Sequence, residues 1–344
     1  MVKILEMGYC CRRRSKMERS NASDNMVSHI VAAQQEGIRT VRSCNSCDFS
    51  SDPDVCICLV TWNMNGQVSY EDLAELVGSK RKFDLLVVGL QEAPQKSISR
   101  MLQATLAETH ALLGKAIMQS VQLYVFGPKD SELDTKELKV DKQSVGGLGG
   151  LIGRKKGAVA IHINFRGIRM VFISCHLSAH AHNVEERNEQ CRHISHSLFT
   201  KSKHWNPYAP PAQLTVWLGD LNYRLQGIDN QPARKLIRKD LHKMLIGKDQ
   251  LLQEAERGEI FSGYCEGTLK FKPTYKYDVG SSDYDTSHKV RVPSWTDRIL
   301  FKIEDANKVK AILRSYESVD GIESSDHKPV KAHLCLKLNP NQDQ

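Results

Sequence analysis

From Val55 onward the chain repeats the pattern that most narrows its fold: a short apolar run rich in Val, Ile and Leu, closed by a cluster of polar residues. Such runs, bounded by turn residues, read as buried strands. They fit Val55–Trp62, Leu85–Leu90, Ile117–Phe126, Ala158–Ile163, Met170–Cys175, Leu214–Leu218, Arg298–Ile303, Val309–Tyr316 and Val330–Leu336. Helical periodicity fits Tyr70–Val77, Ile98–Leu113, Val184–Phe199, Pro232–Leu245 and Gln250–Gly258. With several strands following one another directly, the mixture predicts an α/β sandwich of mixed sheets rather than a barrel of strict repeats. No linker splits Val55–Leu338, so one domain is expected there. Residues 1–54 read as a mobile, basic, Cys-containing leader and 339–344 as a tail.

The polar ends are Trp62-Asn63-Met64-Asn65-Gly66, Gln91-Glu92, Ser174 to His180, Gly219-Asp220-Leu221-Asn222, Trp295-Thr296-Asp297-Arg298 and Ser324-Ser325-Asp326-His327. Singly, each is a capped strand or an Asx turn. Gathered at one end of a sheet, they fit a divalent-metal site that cleaves phosphate esters. Such a site must neutralise phosphate oxygens, ready a water and steady the departing alkoxide. Oxygen donors such as Glu92 and Asn63 suit Mg²⁺, which keeps several waters and binds through one or two side chains. Asp220 is then free to act as base. Asn222, two residues on in an extended segment, is expected on the same side, where the pair grips one water or phosphate oxygen from two directions.

A chain of 344 residues with 40% apolar content can bury a real core. No run approaches the roughly 20 apolar residues of a membrane span. The formal charge of +8 suits anionic partners: nucleic acid, a negative membrane face or a phosphorylated substrate. Ten cysteines without a signal peptide are expected to be reduced thiols in a cytosolic setting. Cys44-x-x-Cys47 with Cys56-x-Cys58 invites comparison with zinc ligands, but Cys56 and Cys58 lie in an apolar run where cysteine is a small hydrophobe. The leader carries Arg12-Arg13-Arg14, Lys16 and a possible helix at Met26–Glu36. If Gly8 were exposed, Gly8-Tyr9-Cys10-Cys11 ahead of the basic cluster would supply the two signals of a lipid anchor. An arginine of the basic cluster stands where the myristoylation pattern wants Ser or Thr, which favours palmitoylation of Cys10 or Cys11.

Val216-Trp217-Leu218-Gly219-Asp220-Leu221-Asn222-Tyr223-Arg224, with Arg291-Val292-Pro293-Ser294-Trp295-Thr296-Asp297-Arg298-Ile299-Leu300, resembles the paired signature of the inositol polyphosphate 5-phosphatases. Phe271-Lys272-Pro273-Thr274-Tyr275-Lys276-Tyr277-Asp278 also matches that family and not the related nucleases. The resemblance covers Val55 to Leu338, and the short length is similar to the small plant members. It implies a DNase-like, four-layered α/β/β/α sandwich and a Mg²⁺-dependent hydrolase. Asn63 and Glu92 would organise the metal, Asp220 oriented by Asn222 would activate water, and His327, paired with Asp297 and next to Asp326, would hold the scissile phosphate. His176 would bind the same phosphate and stabilise the leaving oxygen. Either Asp220 or His327 would take the proton. Tyr275, Lys276, Lys289 and Arg291 would contact the 4-phosphate, and we add His180 to this substrate-binding side.

One departure stands out: the family pattern Gly-Asn-Lys-Gly reads Gly153-Arg154-Lys155-Lys156-Gly157 here, so Lys155 replaces the Asn. The glycine-rich stretch Val145 to Ile152 with this basic triplet is expected either to dip into anionic lipid or to pack Leu151 and Ile152 inward. Lys201 to Pro211 is a proline-broken loop with Trp205 and Tyr208, a rim or a partner site. A DNase or abasic-site endonuclease would share the metal site but leaves the Lys/Tyr/Arg cluster unexplained. A binding module would not need the whole polar set. The reading therefore implies a phosphoinositide or soluble inositol polyphosphate substrate, an anionic membrane surface, no nucleic acid, and a cytoplasmic monomer peripheral on the cytosolic face of membranes.

Overall fold

The apolar runs become two mixed sheets in the computed structural model, which describes residues 37–44, 53–78, 82–95, 97–129, 138–145, 156–200 and 211–339. One sheet has six strands, in spatial order β12 (Val309–Ser318), β13 (Val330–Leu338), β2 (Val55–Asn63), β3 (Leu85–Gln91), β5 (Val121–Pro128) and β4 (His110–Met118). The other has seven: β1 (Arg39–Val41), β10 (Cys265–Gly267), β11 (Asp297–Ile303), β9 (Leu214–Asp220), β8 (Ile168–His176), β7 (Lys156–Phe165) and β6 (Lys139–Val145). Strand pleating sends alternate residues to opposite faces. Leu59, Val87 and Val125 thus meet Ile161, Phe172, Val216 and Phe301 between the sheets.

The outward residues are covered by helices. Val60, Trp62, Val88 and Leu90 pack against α1 (Tyr70–Val77) and α2 (Ile98–Leu106) through Leu73, Leu76 and Leu102. Ala158, Ile173, Cys175 and Trp217 pack against α3 (Val184–Ser197) and α5 (Gln250–Glu256) through Cys191, Ile194, Leu251 and Ala255. The result is the expected four-layered α/β/β/α sandwich. α1 begins where predicted because Ser69 Oγ accepts from Asp72 N at 2.9 Å, satisfying an otherwise orphaned donor.

Several boundaries differ from expectation. The run Ile117–Phe126 is a hairpin, β4 turning into β5 at Gln119, whose φ of 55° breaks the strand. The helix expected to Leu113 stops at Leu106, and His110 onward pairs with β5 instead. Pro232–Leu245 divides into α4 (Asn230–Arg238) and a 3₁₀ segment, His242–Lys248, around Asp240 at φ 55°. The leader is shorter than expected, because Arg39–Val41 pairs in parallel with β10 and so belongs to a sheet. The thiols also need correction: Cys56 and Cys335 form a disulfide, their positions being paired across β2 and β13 with Cα atoms 4.1 Å apart. Among the described residues, Cys58, Cys175, Cys191 and Cys265 carry free thiols. No helix among the described residues is long and apolar enough to cross a membrane. Gly8, Cys10, Cys11, Cys47, the helix at 26–36, the glycine-rich loop 146–152 with 153–155, and the loop 201–210 lie outside the described residues.

Candidate active site

Register brings the polar ends together. In the parallel pair β8–β9, His176 lies opposite Asp220, and in the antiparallel pair β11–β9 Asp297 lies opposite the same residue. β8 and β9 approach so closely that a Cβ on Gly219 would fall 2.1 Å from the carbonyl oxygen of Cys175. Only glycine fits there. Across the sandwich, Asn63 at the end of β2 donates from Nδ2 to Asp220 Oδ2 at 2.9 Å, so one carboxylate ties the two sheets.

That carboxylate is the centre of the cluster. Oδ2 also lies 3.2 Å from His176 Nε2 and 3.9 Å from His327 Nε2, while Oδ1 accepts from the backbone N of Asn222 at 3.1 Å. His327 Nδ1 lies 2.9 Å from Asp297 Oδ2, which also accepts from Thr274 Oγ1 at 2.7 Å and Thr296 Oγ1 at 2.9 Å. Ser325 fixes the loop, donating to Asn63 O at 2.7 Å and accepting from His327 N at 3.1 Å. Trp62 Nε1 donates to His327 O at 3.2 Å. Asn63, His176, Asp220, Asn222, Asp297 and His327 are all buried.

Burial and neighbouring charge set the protonation states. Burial pushes the Asp220 carboxyl up, yet its hydrogen bond with His176 and the charges of His327, His176 and Lys156 outweigh this and hold it well below the usual carboxylate range. Burial pulls His327 down, but the Asp297 and Asp220 carboxylates win and raise it to about 9. His176 is lowered, by burial first, against the pull of Asp220 and with help from Lys156. At neutral pH the centre therefore holds an ionised Asp220, a cationic His327 and a neutral His176. The Nδ1 atom of His176 has no hydrogen-bond partner among the described residues.

A cavity of about 240 Å³ opens beside this cluster, lined by His180, Arg224, Tyr275, Lys289, Arg291 and Ser294 among others. The Tyr275 ring joins the two regions, its centroid 4.4 Å from that of His327. Of the expected substrate-binding residues, Tyr275, Lys289, Arg291 and His180 surround the cavity. Lys276 does not: its Nζ donates to Asp326 Oδ2 at 2.7 Å, while Asp326 Oδ1 lies 4.0 Å from His327 Nε2. Asn222 differs as well. Its backbone leaves the extended region at φ 58°, so the side chain donates to Leu177 O at 3.0 Å, and only the backbone N reaches Asp220.

Two residues escaped the sequence reading. Lys156, the last of the basic triplet that follows the glycine-rich stretch, places its ammonium against His176 Nε2. Its place at the start of β7, beside Gly157 opposite His176, puts it there, and nothing in the sequence signals that register. Arg224 lies over the Tyr275 ring at 4.2 Å, donates from Nε to Asn222 O at 3.1 Å and from Nη2 to Asn222 Oδ1. It sits inside the recognised signature, two residues beyond Asn222.

For a metal, the donor chemistry is the test. Glu92 follows Gln91, which pairs in register with Asn63, and it is half-buried with φ 50°. A carboxylate beside an amide oxygen is an all-oxygen set that fits a hard divalent cation. Ligand atoms of Asp220, Asp297 and His327 also lie within 4.8 Å of one another, but the hydrogen bonds filling Asp297 make it a clamp on His327.

Residues 60–333 match the Endonuclease/Exonuclease/phosphatase family 2. The chain is 63% identical over 306 residues to the type IV inositol polyphosphate 5-phosphatase 11 of Arabidopsis thaliana, covering 89% of this chain and 90% of that protein. It is 30% identical over 322 residues to the phosphatidylinositol 4,5-bisphosphate 5-phosphatase A of Homo sapiens, covering 84% of this chain and 31% of that longer protein. Among solved structures it is similar to the inositol polyphosphate 5-phosphatase domain of SPsynaptojanin, in complex with inositol (1,4)-bisphosphate and calcium ion. The TM-score is 0.69 at 27% identity, over 83% of this chain and 85% of that one. With its sandwich, its buried Asp–His–Asn centre and these matches, the chain belongs to the inositol polyphosphate 5-phosphatases, phosphoric monoester hydrolases of the endonuclease/exonuclease/phosphatase family.

Proposed function

We propose that the chain hydrolyses the 5-phosphate of phosphoinositides such as phosphatidylinositol 4,5-bisphosphate and 3,4,5-trisphosphate, and of soluble inositol polyphosphates, with Mg²⁺ held by Glu92 and Asn63. The observation that carries this is one carboxylate, Asp220, in contact with Asn63 and His176 and 3.9 Å from His327 Nε2, beside a cavity lined by Lys289 and Arg291. The solved relative with inositol (1,4)-bisphosphate and the human relative named for phosphatidylinositol 4,5-bisphosphate support the substrate class. When bound, Mg²⁺ supplies charge neutralisation at the phosphate oxygens.

The side chains have separable tasks. We assign the proton-accepting role to Asp220, which is ionised while His327 already carries a proton; with its carboxyl held so low it first orients the water by hydrogen bonding and accepts the proton only as that water becomes acidic on adding to phosphorus. The oxygen attacks phosphorus in line as that proton moves to Asp220, the bond from phosphorus to the ring oxygen breaks, and the departing ring oxygen takes a proton from solvent to leave as the alcohol. Cationic His327, fixed by Asp297, holds the phosphate. His176 and Lys156 stand together where negative charge builds. Lys289 and Arg291 give a point charge and a fork of donors to a neighbouring ring phosphate. A lipid substrate requires the protein to work peripherally on the cytosolic face of membranes.

The test measures phosphate release from lipid bisphosphate, soluble inositol 1,4,5-trisphosphate and an abasic duplex, with and without EDTA. Release from both inositol substrates, abolished by EDTA and restored by Mg²⁺, is expected. Cleavage of the duplex alone, or activity indifferent to EDTA, would overturn the reading.

A further inference from the structure

The segment from Asn230 to Lys248 leaves the cavity rim and returns to it. Asn230 Nδ2 donates to Val290 O at 3.1 Å and to Arg291 O, and Arg234 reaches Asp285 O. At the far end Gln226 N donates to Lys248 O, and Gln250 N to Arg224 O, both at 2.9 Å. Inward, Ala233, Ile237 and Leu245 are buried in the central core. Outward, Lys235, Arg238, Lys239 and Lys243 are exposed, and Leu241 and Met244 stand at the tip 45% and 65% exposed. From 230 to 248 the single acidic residue is Asp240, which pairs with Lys272 at 3.4 Å. His242 Nε2, 3.0 Å from Lys270 O, brings another exposed lysine against the lobe.

We propose that this lobe docks on an anionic lipid bilayer. Its cations meet the headgroup phosphates while Leu241 and Met244 enter the interface. Two exposed apolar side chains set among cations are what an interfacial segment presents to lipid. A nucleic acid backbone would meet the cations and leave the apolar pair in water. The lobe springs from Val290 and Arg291 on the rim, so docking holds the cavity mouth close to the headgroups. The surface uses no residue of the glycine-rich stretch and none of the cleavage centre. The choice of a bilayer rests on the lipid-substrate reading.

The experiment sediments the full chain with vesicles of phosphatidylcholine, with and without phosphatidylserine, neither containing phosphoinositide. Wild-type protein is expected to bind the anionic vesicles preferentially. The variant carrying Lys235→Glu, Arg238→Glu, Lys239→Glu and Lys243→Glu is expected to lose about tenfold or more of that binding, since a cation near such a surface strengthens partition roughly fivefold. Its turnover of soluble inositol 1,4,5-trisphosphate should remain within about twofold, because none of the four residues lines the cavity or belongs to the cleavage centre. Leu241→Ser with Met244→Ser keeps the charge and should weaken partition severalfold; if the charge variant fails to fold, this pair decides. Undiminished binding by both variants, no preference of the wild type for anionic vesicles, or a stronger lobe-dependent preference for duplex DNA would overturn the proposal. Lobe-dependent vesicle binding by a chain that releases no phosphate would uphold the docking surface and sink the catalytic reading alone.

Discussion

The two halves of the active site are built in opposite ways. In the cleavage half, Asp220 is gripped by Asn63, His176 and the backbone of Asn222, and Asp297 by Thr274, Thr296 and His327, all out of solvent. In the recognition half, His180 and Lys289 stand exposed on loops around an open cavity. The first is set before substrate arrives, so its dipoles cost no reorganisation during reaction. The second gains its contacts from the substrate itself. Damage to the first should therefore appear in kcat, and damage to the second in KM.

The largest effect belongs to Asp220→Asn, which keeps the shape but removes the charge at which both sheets meet. Steady-state assays should show kcat lower by about 10²–10⁴, the usual loss for an acid/base group, with KM little changed. A rise confined to KM would place Asp220 in recognition and erase the contrast.

Asp297→Asn should come next, and it carries a pH signature. His327 is raised to about 9 chiefly by Asp297 acting against burial, so the cation persists through neutrality and is lost as pH climbs through that value. With a neutral amide in its place, burial pulls the imidazole down. The alkaline limb of the rate profile is then expected to move acidward by about one unit or more. An unmoved limb would show that some other group sets it.

How much of this was legible beforehand depends on what each residue's position rests on. Asn63, Asp220 and His176 could be read because each ends an apolar run, and a strand delivers its last residues to the sheet edge. Asn222 meets Asp220 through its backbone N and not through the side chain expected, since one residue at φ 58° cancels the alternation of an extended chain. Lys156 looked like surface charge because the register of β7 against β8 is invisible in the run of basic residues. The Cys56–Cys335 bond spans 279 positions and follows from β2 pairing with β13, which nothing local encodes. β6 escaped notice because an edge strand with one wet face, Lys139–Val145, lacks an apolar run. Local chemistry was readable, and pairing between distant strands was not.

In the recognition half, Arg291→Ala should raise KM about tenfold or more for substrates bearing a 4-phosphate, as a charge-assisted hydrogen bond is worth about 1.5–3 kcal/mol. A substrate without that phosphate should show no comparable change. Equal losses on both would mean that the Arg291 side chain shapes the cavity wall rather than reading the 4-phosphate.

Lys276→Ala sets the smallest effect and the finest division between the halves. Sequence resemblance groups Lys276 with Arg291, yet its ammonium is held by Asp326 while Arg291 lines the cavity. Lys276 is partly exposed in that pair, with 27% of its side chain accessible, so the bond is a weak tether of about 0–1 kcal/mol. If Lys276 stays with Asp326, KM for a 4-phosphate substrate should rise less than about fivefold, the factor to which about 1 kcal/mol amounts. A rise equal to that of Arg291→Ala would show the lysine exchanging Asp326 for substrate, and the carboxylate released beside His327 would then link recognition to cleavage. Asp326→Asn separates these outcomes: it should leave KM unchanged if the pair is only structural, and lower it if breaking the pair frees the lysine for phosphate.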